Sequence, residues 1–165
     1  MTLYLVRHGI AEAMHADGDG ARRLTPEGRA KMKQAAAGLA RLGVCVDVLL
    51  TSPLPRAAET AAILSDGNPD LPVPRDCDAL ATGASPVETL RQLRPWADVE
   101  ALMLVGHEPT LSRLAALLLT GSPDGAAIEM KKGACLALEV GRLAPHGGAA
   151  LAWLLPPRAL RRVGR

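Results

Sequence analysis

Three short apolar runs decide most of what this chain can fold into. They are Leu3-Tyr4-Leu5-Val6, Val46-Asp47-Val48-Leu49-Leu50 and Ala101-Leu102-Met103-Leu104-Val105. Short apolar runs bounded by Gly, Ser or Pro read as buried strands. Each leads through a polar segment to a helix start: Thr25-Pro26-Glu27 after the first, Ser52-Pro53 after the second, and Pro109 after the third. Ser or Thr as a cap with Pro at the first helical position is a strong start signal, and Glu27 is well placed for the helix dipole. Strands alternating with helices form a mostly parallel sheet covered on both faces, a three-layer α/β/α sandwich. In such sheets ligands gather at the carboxyl ends of the strands.

Those ends hold an unusual collection of side chains. Arg7-His8-Gly9 follows the first run, Arg56 lies just behind Ser52, and Gly106-His107 follows the third. If the strands are parallel, two guanidiniums and two imidazoles meet at one sheet edge. Arg is a cationic fork for phosphate oxygens, and a His nitrogen can attack phosphorus or carry a proton near neutral pH. With Ser52 as cap, Arg56 falls in the first helical turn, where free N–H groups also favour an anion.

Further along, Met32, Ala35, Ala36, Leu39 and Leu42 form the stripe of one helix, ended by Gly43. The helix behind Ser52 is expected to reach about residue 64, and a short one is expected from Pro86 to about residue 93. Leu111, Leu114, Ala115 and Leu118 mark another helix. A short strand is expected near Val73, and Cys135–Val140 and Ala149–Leu155 read as two closing strands. Residues 1–157 are expected to form one domain and 158–165 a basic, frayed tail.

Composition narrows the partners. The 165 residues include no Phe, two Trp and one Tyr, which leaves little for stacking on bases, and the net charge of +2 sets up no field for polyanions. Nucleic acid is therefore not an expected partner. Neither is a membrane, because no apolar stretch approaches about 18 residues. Three cysteines without a Cys-x-x-Cys pair fit a reducing cytoplasm. Asp17-Gly18-Asp19-Gly20 hints at a calcium loop, but Gly28 stands where the twelfth-position Glu belongs, so no metal or cofactor is expected. His15 and His146 read as surface residues.

The chain resembles the histidine phosphatase (phosphoglycerate mutase-like) superfamily, and within it the SixA-type phosphohistidine phosphatases. The residues that carry the resemblance are Leu5-Val6-Arg7-His8-Gly9, Arg23-Leu24-Thr25-Pro26-Glu27-Gly28, Ser52-Pro53-Leu54-Pro55-Arg56-Ala57 and Val105-Gly106-His107. By that resemblance His8 is the phosphorylated nucleophile, Arg7, Arg56 and His107 bind the phosphoryl group, and Arg23 is a rim contact for the substrate, where the residue alone reads equally as a surface charge. Many larger members carry a cap between the Ser-Pro-Leu helix and the late Gly-His strand; here that interval is short and Pro-rich, so an open cavity is expected. Larger members also place a catalytic Glu there. Here that interval offers Asp76, Asp78 and Glu88, none in a matching motif, while Glu12, Glu59 and Glu108 lie near the cavity motifs, either as donors or only to orient the arginines, and the proton donor stays open. Phosphohistidine can leave as neutral imidazole, so a missing acid favours a phosphorylated protein such as a histidine phosphotransfer domain as substrate. A small phosphorylated metabolite and a catalytically silent phosphate-binding module are the alternatives.

Overall fold

The computed structural model describes residues 1–165. Its six strands are β1 (Thr2–Arg7), β2 (Val48–Thr51), β3 (Arg75–Asp76), β4 (Ala101–Gly106), β5 (Cys135–Glu139) and β6 (Ala150–Leu155), in the spatial order β3-β2-β4-β1-β5-β6. The first four are mutually parallel, while β5 runs antiparallel to both β1 and β6. Leu104 sits in register with Leu5 on one side and Leu50 on the other, and all three are fully buried. Burying such side chains is the main favourable term in holding the sheet together.

Five helices cover the sheet: α1 (Pro26–Arg41), α2 (Pro55–Gly67), α3 (Pro86–Gln92), α4 (Thr110–Thr120) and α5 (Pro157–Val163). Alternation along β1 divides the core. Leu3 and Leu5 pack with Leu90 of α3 and Leu111 and Leu114 of α4, whereas Val6 packs with Met32 and Leu39 of α1, Ala57 and Leu64 of α2 and Leu160 of α5. The result is the α/β/α sandwich expected from the strand–helix alternation. Between α2 and β4 lie only β3, α3 and two short 3-10 turns, so no cap covers the strand ends. No helix is long and apolar enough to cross a membrane.

Four local expectations need correction. The tail is not frayed: Pro157 starts α5, Leu160 is buried, and a Cβ on Gly38 of α1 would come within 2.2 Å of the Leu160 carbonyl oxygen. Leu160, the one leucine of the tail, joins the apolar cluster that holds Met32, Ala35, Ala36 and Leu39 of α1, the helix on which α5 packs. The helix after Ser52 starts at Pro55, not Pro53, and extends to Gly67. The Pro55 ring forces Leu54 into extended backbone (φ −68°, ψ 135°), which postpones the helix. The small strand forms at Arg75–Asp76, where β2 offers pairing partners, and leaves Val73 exposed. Leu42, expected on the apolar stripe, lies past the last helical residue and is exposed.

Candidate active site

Strand register builds the site. Arg7 pairs with Gly106 across β1 and β4, so His8 and His107, each one residue further on, emerge side by side. Their ring centroids are 5.0 Å apart with the planes tilted by 54°. Thr51 pairs with Val105, and the Ser52 amide donates to the Val105 carbonyl, which brings the start of the α2 segment to the same edge. Arg7, His8, Arg56 and His107 thus line one open cavity of about 310 Å³, as the motif spacing implied. Asp19, Arg22, Thr82, Glu108 and Lys132 complete its wall.

Backbone contacts fix the first motif. The His8 amide donates to the Gly106 carbonyl, and the Gly133 amide donates to the carbonyls of Arg7 and His8. Gly9 is required by close approach: a Cβ there would lie 2.7 Å from Cγ of Met32. Its amide donates to Thr60 Oγ1, and that hydroxyl donates to the Arg56 carbonyl, tying the first motif to α2.

His8 Nδ1 lies 2.8 Å from the Gly9 carbonyl oxygen. A carbonyl can only accept, so Nδ1 carries the hydrogen and Nε2 keeps its lone pair. Burial lowers the His8 pKa to about 4, with the Arg56 and Arg7 charges acting in the same direction and the Gly9 hydrogen bond opposing. Desolvation is the larger cause, because His8 is only 6% exposed, and the neighbouring cations add to it. His107 is pushed down to about 3, again chiefly by burial and then by His8 and Arg56. Both imidazoles are neutral at pH 7.

Ser52 has a different role from the expected cap. Its Oγ accepts from the Leu54 amide and lies 2.8 Å from His107 Nε2. Arg7 donates through Nη1 to the Met130 carbonyl at 2.8 Å. Arg7 Nε and His107 Nδ1 are buried without a hydrogen-bond partner. Buried polar nitrogens of this kind are rare and call for an explanation.

Asp19, read from sequence only as part of a possible calcium loop, reaches across to Arg56. Arg56 Nη1 donates to the Asp19 carbonyl at 2.8 Å and Nη2 to Oδ2 at 3.1 Å, while Arg22 Nη1 donates to Oδ1 at 2.7 Å. The Arg22 hydrogen bond, followed by the Arg56 charge, holds the Asp19 carboxyl below its ordinary pKa. No signal in the sequence pairs Asp19 with Arg56, which is 37 residues away.

The proton-donor candidates are dispersed. Glu12 accepts from the Arg23 amide. Glu59 accepts from the Leu24 amide and pairs with Arg29 and Arg23, so both Glu59 and Arg23 serve the loop. Asp78 is exposed at the start of a 3-10 turn and is absent from the cavity wall. Glu108 lines the cavity, but its Oε1 accepts from the Ser112 amide in the first turn of α4.

The sequence profile of the histidine phosphatase superfamily (branch 1) matches residues 3–79. An uncharacterized protein of Picosynechococcus sp. (strain PCC 7002) is 37% identical over 97% of this chain and 99% of its own length. Among solved structures, the protein histidine phosphatase SixA complexed with tungstate superposes with a TM-score of 0.84 at 23% identity, covering 97% of this chain and 99% of that one. A SixA-designated protein of Nakamurella multipartitia gives 0.77 at 27% identity, covering 94% and 95%. A mycobacterial glucosyl-3-phosphoglycerate phosphatase, solved with inorganic phosphate, gives 0.70 at 20% identity, covering 95% and 98%. The chain belongs to the histidine phosphatase superfamily, as a phosphatase with the SixA-type fold.

Proposed function

We propose that the protein removes a phosphoryl group from phosphohistidine on another protein by way of a phosphorylated His8. The observation that carries this reading is the tautomer of His8: Nδ1–H is engaged by the Gly9 carbonyl, and a neutral ring leaves Nε2 as the nucleophile. In the first step the Nε2 lone pair attacks phosphorus, and the bond from phosphorus to the leaving nitrogen breaks. That nitrogen keeps the bonding pair and departs as neutral imidazole when its second nitrogen already carries a proton. In the second step a water oxygen attacks the phosphorus of phospho-His8. The P–Nε2 bond breaks, Nε2 recovers its lone pair, and inorganic phosphate and a proton are released.

Phosphoryl transfer depends mainly on positioning and on charge stabilisation at the equatorial oxygens. Arg7 and Arg56 supply fixed positive charge. Ser52 Oγ, already accepting from Leu54, has its own hydrogen to give to His107 Nε2, which puts the hydrogen of neutral His107 on Nδ1. Arg7 Nε and His107 Nδ1 are then two buried donors without acceptors, and phosphoryl oxygens would satisfy them. An arriving dianion would also raise the His107 pKa and favour its protonated form.

The open cavity without a cap, and cavity carboxylates that are ion-paired or turned to a helix end, support a protein phosphohistidine over an alkyl phosphate. The free state of Cys45, Cys77 and Cys135 supports a cytoplasmic setting. The likeness in fold to a sugar-phosphate phosphatase favours a second reading, hydrolysis of a small phosphorylated metabolite. Radiolabel from a phosphorylated histidine phosphotransfer domain should appear on the enzyme as an acid-labile, base-stable adduct that His8→Ala lacks. The kcat/KM on that domain should exceed the value for sugar phosphates; a clear preference for alkyl phosphates would select the second reading.

A further inference from the structure

We propose that Asp19, fixed at the mouth of the cavity on the guanidinium of Arg56, is a specificity residue that disfavours substrates whose leaving group carries negative charge. This rests on reading the cavity as a phosphoryl site.

The cavity has a direction. His8, Arg56 and His107 form its floor, each no more than 6% exposed, whereas the Asp19 side chain is 64% exposed. In-line displacement puts the leaving group opposite the attacking Nε2 of His8. The nucleophile is at the floor, so the leaving group points out through the mouth and passes Asp19. Lys132 and Arg22 also reach this wall, but Arg22 is committed to Asp19 Oδ1. The other lining carboxylate, Glu108, is held toward the start of α4.

Asp19 is not free to swing away. An antiparallel bridge between Ala11 and Leu24 closes the neck of its loop, reinforced by the Glu12 amide donating to the Arg23 carbonyl and Arg22 Nε donating to the Glu12 carbonyl. Its backbone carbonyl and its carboxylate both accept from Arg56. A guanidinium carries five N–H donors, so Arg56 can hold Asp19 and still offer hydrogens to a phosphoryl oxygen. The two guanidiniums keep the carboxylate ionised, which excludes it as a proton donor and leaves it a fixed negative charge. A neutral imidazole passes such a charge without penalty, while a carboxylate or second phosphate on the leaving group is repelled.

Calorimetric binding of methylphosphonate and 3-phosphonopropionate to the wild-type protein and to Asp19→Asn tests this without requiring turnover. The first probe has a neutral substituent and the second a carboxylate in the leaving-group direction. In Asp19→Asn the affinity for 3-phosphonopropionate should rise relative to methylphosphonate by about two- to fivefold, the range of exposed charge pairs. The gain should shrink as salt is raised, which a purely structural role would not produce. An equal change for both ligands would restrict Asp19 to holding Arg56 and overturn the proposal. Failure of wild-type protein to bind either phosphonate, together with no label on His8, would instead overturn the phosphoryl-site reading beneath it.

Discussion

The floor and the mouth of the cavity are built by different means. Floor residues follow directly from strand ends: His8 behind β1, His107 behind β4, and Arg56 at the second position of α2. They are buried and held by backbone hydrogen bonds, and their position is set by sheet register. The mouth is assembled from loops, with Asp19, Thr82 and Lys132 all exposed. Desolvation controls the floor and makes both imidazoles neutral, whereas ion pairing with water close by governs the mouth. Under the proposed function, bond making falls to the floor and the choice of what enters to the mouth.

Substitutions should respect that division. Removing the proposed nucleophile in His8→Ala should lower kcat by at least ~1000-fold, measured by phosphate release on a phosphohistidine protein. Arg56→Ala removes one preorganised donor and should cost about 100- to 1000-fold in kcat/KM. It should also release the Asp19 loop, visible as faster amide exchange over residues 12–23. A loss below about tenfold would show that Arg56 belongs to the mouth.

Acidification probes the floor next. With a His8 pKa of about 4, kcat/KM should stay level through pH 6.5 and fall about tenfold per unit below pH 4. Histidine ring NMR titration provides the check, and a midpoint near 6.5 would contradict the buried, neutral ring. Stability follows the same sign. The unfolded chain takes up protons near pH 6.5 while the folded His8 and His107 remain neutral, so stability is full above that pH. It falls as pH drops toward about 4 and 3, by roughly 1.4 kcal/mol per pH unit for each ring.

Ser52→Ala should have a smaller effect. Removing a single hydrogen bond to His107 should reduce kcat/KM by about fivefold, read as a kcat effect if Ser52 sets the tautomer used in the transition state. Smallest of all, Arg23→Ala breaks only an exposed ion pair to Glu59, and thermal unfolding should shift by less than about 0.5 kcal/mol with activity within twofold. A large loss there would move Arg23 from the loop's support into the substrate contact.

The sequence view was sharpest where physical signals are local. Apolar runs and Pro-led helix starts located β1, β2, β4, α1 and α4, and the meeting of Arg7, His8, Arg56 and His107 followed from parallel pairing of those strands. It misread Ser52 because a Ser-Pro pair is a good cap signal by itself, yet the second proline at position 55 delays the helix and frees the hydroxyl for His107. It misread the tail for a related reason: Arg158, Arg161 and Arg162 dominate its composition, while a single leucine supplies its docking.

Sequence alone, then, determined the strand–helix alternation and the identity of the floor, because burial periodicity and helix-start chemistry act over a few residues. Only the tertiary structure decided that burial rather than charge neutralises His8, that Ser52 serves His107, and that Asp19 bridges to Arg56. Those outcomes depend on which groups lose water together and on how a closed loop meets a distant helix. Both are set by packing between segments far apart in the chain.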